Sequence, residues 1–443
     1  MLDVLQGALL RRRGRRPSQE VAKPSAQRGH AETRNAQVPQ RFTTRQPAAH
    51  GGGAYLTAGA RRQLTSVAVP RPRVLILSAA IGEGHDLPAR WIAAGLADEV
   101  PDVPVTIADG LAAMGELVER VIIGGSSFDS RLGNLMFDVE HWLITNVRPL
   151  RSGFAWVGTR VSAPGLLGLI EREDPAVVVS TYPGTTEVLG RLRQRGRLHV
   201  PVVSAITDLA SLRFWAHPGI DLHLVTHPEA VEEVRAVAGA GTAVVPARGM
   251  NDPGFVHPPD RADARRALEL PPDVPVVVVS GGGWGVGDIE GAVDAVVEVP
   301  SALAVVMCGR NEELRRRLAA RYGAEERMHL LGFTDQVPQL FSAADALVHS
   351  TAGLTVLEAH VCACPTISYG WGRGHIRANN RAFKRFGLAD VASNRTELRA
   401  ALSRALASRP SPPDFFAALP TAAAVLCERF GLRAAPAHAG DRG

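Results

Sequence analysis

From residue 73 onward, short aliphatic runs alternate with loops rich in glycine, proline and polar residues. Arg73-Val74-Leu75-Ile76-Leu77-Ser78 opens this region without a polar interruption, the pattern of a parallel strand buried on both faces. A glycine-containing loop follows, then helical spacing over residues 88–100, then a second short strand over 105–108 that ends at Asp109. Apolar runs at 176–180, 202–207 and 222–226 repeat the theme, each closed by polar or turn residues. Strand, loop, helix, strand predicts a doubly wound α/β sheet. Residues 111–173, with Trp142 and Trp156 among many aliphatics, read as helical and longer than one crossover requires.

Gly249, Pro253, Gly254, Pro258 and Pro259 cluster in a break over 246–259, after which the pattern restarts. A helix is expected at 261–270. Strands are expected at Val276–Ser280, 304–309, Met328–Leu331, Ala346–His349 and Thr366–Tyr369. Two successive Rossmann-like halves joined by a Pro/Gly hinge place a ligand cleft between them. The expected division is a disordered basic tail over 1–70, an acceptor-binding half over 71–248 and a donor-binding half over 249–410. A C-terminal helix and tail over 411–443 completes it, with the helix at 412–434 packing back across the halves.

Charge changes the picture only when it is divided along the chain. Residues 1–73 hold 14 Lys/Arg against 3 Asp/Glu, a net of +11, so a total of +5 leaves −6 on the remainder. A mildly acidic body gives no footprint for nucleic acid. Hydrophobic residues at 46% and charged residues at 21% belong to a soluble globular protein. Abundant Ala, Arg, Gly and Pro are the bias of a GC-rich bacterial coding sequence. Cys308, Cys362, Cys364 and Cys427 form no CxxC pair; Cys362 and Cys364, in an apolar run, read as buried thiols, and a reducing cytoplasm fits. No apolar stretch approaches the roughly 20 residues that span a bilayer. Arg11, Arg12, Arg13, Arg15 and Arg16 follow the short apolar segment 2–10, the reverse of a secretory signal. The alternative to a disordered tail there is a weak anchor on anionic lipid.

Three loops could carry chemistry. Ser78-Ala79-Ala80-Ile81-Gly82-Glu83-Gly84-His85 lies at the carboxyl end of the first strand, where α/β proteins bind ligands. His85 is either a proton acceptor or a helix cap. Gly281-Gly282-Gly283-Trp284-Gly285-Val286-Gly287 suits a backbone that contacts phosphate at a helix N-terminus, although no Lys-Ser/Thr pair makes it a Walker A loop. The third runs from Ala346-Leu347-Val348-His349 through Ser350-Thr351-Ala352-Gly353 into a helix carrying Glu358. A carboxylate there can accept from both hydroxyls of a ribose, or merely balance the helix dipole.

With these motifs the chain resembles the monogalactosyldiacylglycerol synthase and processive diacylglycerol glucosyltransferase family, and more distantly the GlcNAc transferase that forms lipid II. Gly82-Glu83-Gly84-His85 matches its Gly-x-Gly-His loop. Asp174-Pro175 followed by Ala176-Val177-Val178-Val179-Ser180-Thr181 matches its Pro-Asp strand with the first two residues exchanged. Thr207-Asp208 with Trp215, Cys308-Gly309-Arg310-Asn311 and the Gly-Leu-Thr-x-x-Glu core from Gly353 to Glu358 complete the match over residues 73–405. The resemblance implies a GT-B fold, two Rossmann-like doubly wound domains facing an interdomain cleft. It also implies inverting transfer of a hexose from a UDP-sugar to a diacylglycerol-like lipid, with no metal and no cofactor. The chain has no Asp-x-Asp motif of the kind that holds divalent cations, and backbone amides and helix ends would carry the donor phosphates instead.

The donor contacts so implied are Gly282, Gly283, Trp284, Gly285, Arg310, Phe333, Ser350, Thr351, Ala352, Gly353, Leu354, Thr355, Glu358, His375 and Asn379. On the acceptor side stand Gly82, Gly84, His85 and Trp142, with His85 or Asp208 as base and Asp208 alternatively an orienting partner. Imidazole suits the task because its unperturbed pKa of about 6.5 lies near neutrality. Some positions depart from the family. Gly374-His375-Ile376-Arg377-Ala378-Asn379 puts His375 or Ile376 where a sugar-contacting Gln is usual. Leu212 or Arg213 stands near a usual histidine after Thr-Asp, and Ser350-Thr351-Ala352-Gly353-Leu354-Thr355 replaces Lys-Ala-Gly-Gly-x-Thr. The expected location is cytoplasmic, peripheral on the inner face of the plasma membrane. Apolar and basic residues together in 111–173 suit an anionic bilayer as well as they suit a buried layer. The rival readings are a UDP-sugar 2-epimerase, a nicotinamide oxidoreductase lacking its third glycine, and an inactive UDP-binding protein.

Overall fold

The computed structural model describes residues 72–432 apart from Gly82, 127–147, Ser211, Ala324, Ala352, 371–374 and 410–414, all within one compact unit, Ala68–Gly443. The basic tail with its anchor alternative, Trp142, Gly82 and Ala352 therefore lie outside the described residues.

Two six-stranded parallel sheets form the frame. The first joins β1 (Val74–Ser78), β2 (Val105–Asp109), β3 (Val177–Ser180), β4 (Val202–Ile206), β5 (Leu222–Val225) and β6 (Val244–Pro246) in the order β2-β1-β3-β4-β5-β6. The second joins β7 (Val276–Ser280), β8 (Leu303–Met307), β9 (Met328–Leu331), β10 (Ala346–His349), β11 (Thr366–Tyr369) and β12 (Asp390–Ala392) in the order β12-β11-β10-β7-β8-β9. Each order reverses once, between β1 and β3 and between β7 and β10. Crevices open at the carboxyl ends of the strands at such reversals, because the flanking helices leave on opposite faces.

The uninterrupted apolar strands explain both layers. Val74 and Ile76 face a core with Ile92, Leu96 and Leu426, while Leu75 and Leu77 face another with Leu111, Leu166 and Leu189. Val277 and Val279 pack with Val293 and Leu402, and Val276 and Val278 with Phe255 and Phe341. Successive residues of a strand point to opposite faces, so a strand covered on both sides needs apolar residues at every position. At the sheet edge β2 is only partly buried and leaves Ile107 42% exposed.

Two strands were not expected from the sequence. β6 and β12 hold three residues each at the sheet edges, and β6 ends on Pro246, inside the segment read as a break. The single helix expected at 412–434 is two, Phe415–Ala418 and Ala422–Phe430, separated at Pro420, which supplies no backbone donor. The second packs on the Glu83–Glu99 helix of the first sheet, where Gly95 lets Ala423 approach closely. Among the described residues no helix is long and apolar enough to cross a membrane.

Candidate active site between the two sheets

β1 delivers its chain to the helix Glu83–Glu99, and His85 sits in the first turn of that helix. Its Nδ1 lies 2.8 Å from the carbonyl oxygen of Thr181, and Thr181 Oγ1 donates to the His85 carbonyl at 2.9 Å. A carbonyl only accepts, so Nδ1 carries the proton and Nε2 is the basic nitrogen. Thr181 directly follows β3, which places this support at the β1/β3 reversal. Tyr182 meets the imidazole edge-on at 5.2 Å between centroids, and Trp215 lies at 5.8 Å. Burial, and then the charge of Asp109, push the Tyr182 hydroxyl up to about 12, so it stays neutral.

Asp208 follows β4 and faces the second sheet. Its Oδ2 accepts from Trp215 Nε1 at 3.0 Å, and its Oδ1 accepts from Asn379 Nδ2 at 3.3 Å. Both oxygens are engaged, an arrangement that suits an orienting partner better than a base. Asn379 returns the contact by accepting from the Leu209 N–H at 2.8 Å. Leu209 is itself buried among Val356, Leu357 and Phe383.

Asn379 was expected to touch the donor. It is fully buried instead, its amide joining one sheet's loop to the other sheet's helix. The segment read as a loop is the start of the helix His375–Arg385, and helical spacing turns Asn379 to the same buried side as Ala382 and Phe383. The side chain of His375 lies outside the described residues.

The second sheet contributes two adjoining loops at the β7/β10 reversal. Residues 281–287 form a tight turn in which Gly282, Gly285 and Gly287 all have positive φ, at 69°, 59° and 98°. The helix that follows, Ile289–Val297, is capped by Asp288, which accepts from the Gly291 N–H at 2.9 Å. Phosphate was expected at this helix end, but the Asp288 carboxylate already fills that role. Any anion-binding capacity here rests with the turn itself and with Arg310. Arg310 donates its backbone N–H to Gly283 at 2.7 Å and lays its guanidinium 3.9 Å over the Phe333 ring. Trp284 and Phe333 are about half exposed at this rim.

Ser350 leans on the first loop, its Oγ donating to the Val286 carbonyl. Beneath it His349 accepts from the Thr351 N–H at 3.2 Å, and burial pushes this imidazole down to about 3. Nothing in the sequence pattern singled out His349, since a histidine ending a strand has no signature of its own. No side chain caps the next helix, Leu354–Val361, which begins at Gly353. That end carries no capping carboxylate, unlike the one at Asp288. Glu358 on the same helix is raised to about 8, by burial first and by Asp252 second.

Contacts between the halves close the arrangement. Glu83, two residues before His85, accepts from Arg310 Nε at 2.8 Å. Gly353, with φ at 52°, lies directly against the Thr207 carbonyl and leaves no room for a Cβ. Gly353→Ala is therefore expected to lose about 2 kcal/mol or more of unfolding free energy in chemical denaturation. Unchanged stability would refute the close approach. Among the described residues no three His, Cys, Asp or Glu side chains group so as to hold a metal ion.

Comparison with known proteins finds two family matches, one after the other along the chain. Residues 94–248 match the family described as monogalactosyldiacylglycerol (MGDG) synthase, and residues 260–415 match glycosyl transferases group 1. A processive diacylglycerol beta-glucosyltransferase of Staphylococcus aureus strain Newman is 24% identical over 235 residues. That match covers 52% of this chain and 59% of the relative, so it spans about three-fifths of that protein's length. Among solved structures, the glycosyltransferase SnogD from Streptomyces nogalater aligns with a TM-score of 0.51 at 16% identity, covering 82% of this chain and 99% of that one. The UDP-GlcNAc 2-epimerase from Neisseria meningitidis bound to UDP-GlcNAc aligns with a TM-score of 0.50 at 11% identity, covering 81% and 99%. These likenesses establish the GT-B fold.

Proposed function

We propose, from a chain that carries a monogalactosyldiacylglycerol synthase domain followed by a group 1 glycosyl transferase domain on a GT-B fold, that this protein transfers a hexose from a UDP-sugar to a hydroxyl of a diacylglycerol-like lipid. One observation carries the reading. The helix that presents His85 also touches, through Glu83, the glycine turn and Arg310 of the opposite half. That contact holds the His85 helix and the glycine turn at one junction of the halves, which supports displacement at a sugar–phosphate bond.

In this reading His85 Nε2 takes the proton of the acceptor hydroxyl while that oxygen forms a bond to the anomeric carbon. The bond from that carbon to the diphosphate oxygen breaks, and UDP departs with the electron pair. Attack opposite the leaving group inverts the anomeric centre. The glycine turn, Arg310 and the uncapped start of the Leu354–Val361 helix would take up the developing charge without a metal ion, and Glu358 would hold the ribose. Asp208 would keep Trp215 and the two halves in register around His85. Action on a lipid calls for a peripheral position at a membrane surface.

The test is a panel of UDP-sugars assayed with total lipid extract and read by mass spectrometry. A new lipid heavier by one hexose, with release of UDP, is expected. Conversion of a UDP-sugar alone into its 2-epimer would establish the epimerase reading instead. Binding of UDP with no donor consumed would show a protein that has lost the reaction.

A further inference from the structure

We infer that Glu83 is a resident anion of the donor site, holding Arg310 and lying in the glycine turn until a donor diphosphate displaces it. The inference rests on reading the 281–287 turn as the phosphate site. Glu83 Oε1 accepts from Arg310 Nε at 2.8 Å, and its Cγ lies 2.6 Å from where a Cβ on Gly283 would stand. The Glu83 stem therefore rests against bare backbone, in the space that the missing side chain of residue 283 leaves open, with its carboxyl carbon 3.8 Å from that point. Carboxylate and phosphate oxygens seek the same donors, so the two compete for one place.

The contact is built to be broken. Only one hydrogen bond joins the pair, and Arg310 remains 45% exposed while the Glu83 side chain is 15% exposed. A single-point ion pair with one partner half in water contributes little. The second carboxylate oxygen, Oε2, is buried with no hydrogen-bond partner. An acceptor left unmade in this way costs free energy that nothing in the protein returns. Arg310 keeps its place without Glu83, because its backbone bond to Gly283 and its stacking on Phe333 are independent of the pair. A diphosphate, with more charge and more acceptor oxygens, would inherit a preformed cation.

The test compares wild type, Glu83→Gln and Glu83→Ala by calorimetric titration with UDP and, separately, with uridine. Removing the competing charge is expected to tighten UDP about fivefold in both variants. Uridine, lacking phosphate, should bind all three proteins alike. Equal or weaker UDP affinity in the variants would overturn the inference. So would a parallel gain for uridine, which would mean that the variants merely loosen the contact between halves. UDP binding to none of three cooperatively melting proteins would instead remove the donor-site reading, and this inference with it.

Discussion

His85→Ala is expected to slow hexose transfer roughly a hundred- to ten-thousand-fold, the range for loss of a positioned general base. UDP affinity should stay within about twofold, because the imidazole belongs to the half opposite the glycine turn. The magnitude follows from orientation as much as from basicity. Thr181 fixes the ring through Nδ1, and Tyr182 and Trp215 confine it from two sides, so Nε2 is aimed before any substrate arrives. Measurement of kcat alongside a UDP titration separates this role from a structural one. Turnover at the wild-type rate would remove His85 from the mechanism. A matching collapse of UDP binding would show that the substitution had disturbed the whole cleft.

Glu358→Ala should weaken UDP by at least about a hundredfold, since hydrogen bonds to a charged acceptor contribute about 1.5–3 kcal/mol each and a ribose offers two. Glu358→Gln, which keeps one acceptor, should lose about tenfold. The pH dependence is more diagnostic. Burial raises this carboxyl to about 8, so at pH 6 the unliganded protein holds it protonated. The ionised form is the better double acceptor. UDP affinity should therefore rise from pH 6 to pH 8 and level off above, with proton release on binding. In Glu358→Gln it should be flat.

Stability moves the other way. The folded pKa lies above the ordinary carboxylate value of 4.5, so the contribution of Glu358 is fully present below that value and is lost as pH rises through about 8. Unliganded wild type should soften across this window more than Glu358→Gln does, as read from unfolding midpoints. A pH-independent UDP affinity in wild type would dismiss the ribose role.

The residues of the site differ in how visible they are in the sequence. His85 and Glu358 stand in motifs at the ends of apolar strands, and strand ends at a reversal of order are where ligands meet α/β sheets. Glu83 sat unnoticed inside one of those motifs. Its meaning depends on Arg310, 227 residues away in sequence, and no local pattern links them. Asn379 shows the opposite case. A motif marked it as a ligand contact, yet its amide was taken up by Asp208 and Leu209 once the halves met.

By itself the sequence determined the two parallel sheets, because continuous apolar runs such as Val74–Ser78 and Val276–Ser280 are stable only when covered on both faces. It also determined where the glycine turns and the histidine loop would fall, since positive φ and strand termini leave local marks. Local sequence also set the two helix ends apart, since Asp288 caps its own helix while Gly353 stands at the head of the other; the rest fell to tertiary structure. It decided that Asp208 would bind the halves together, and that a glutamate from one half would rest in the turn of the other. Those outcomes depend on distances between residues far apart in the chain, which only the packed fold brings within reach.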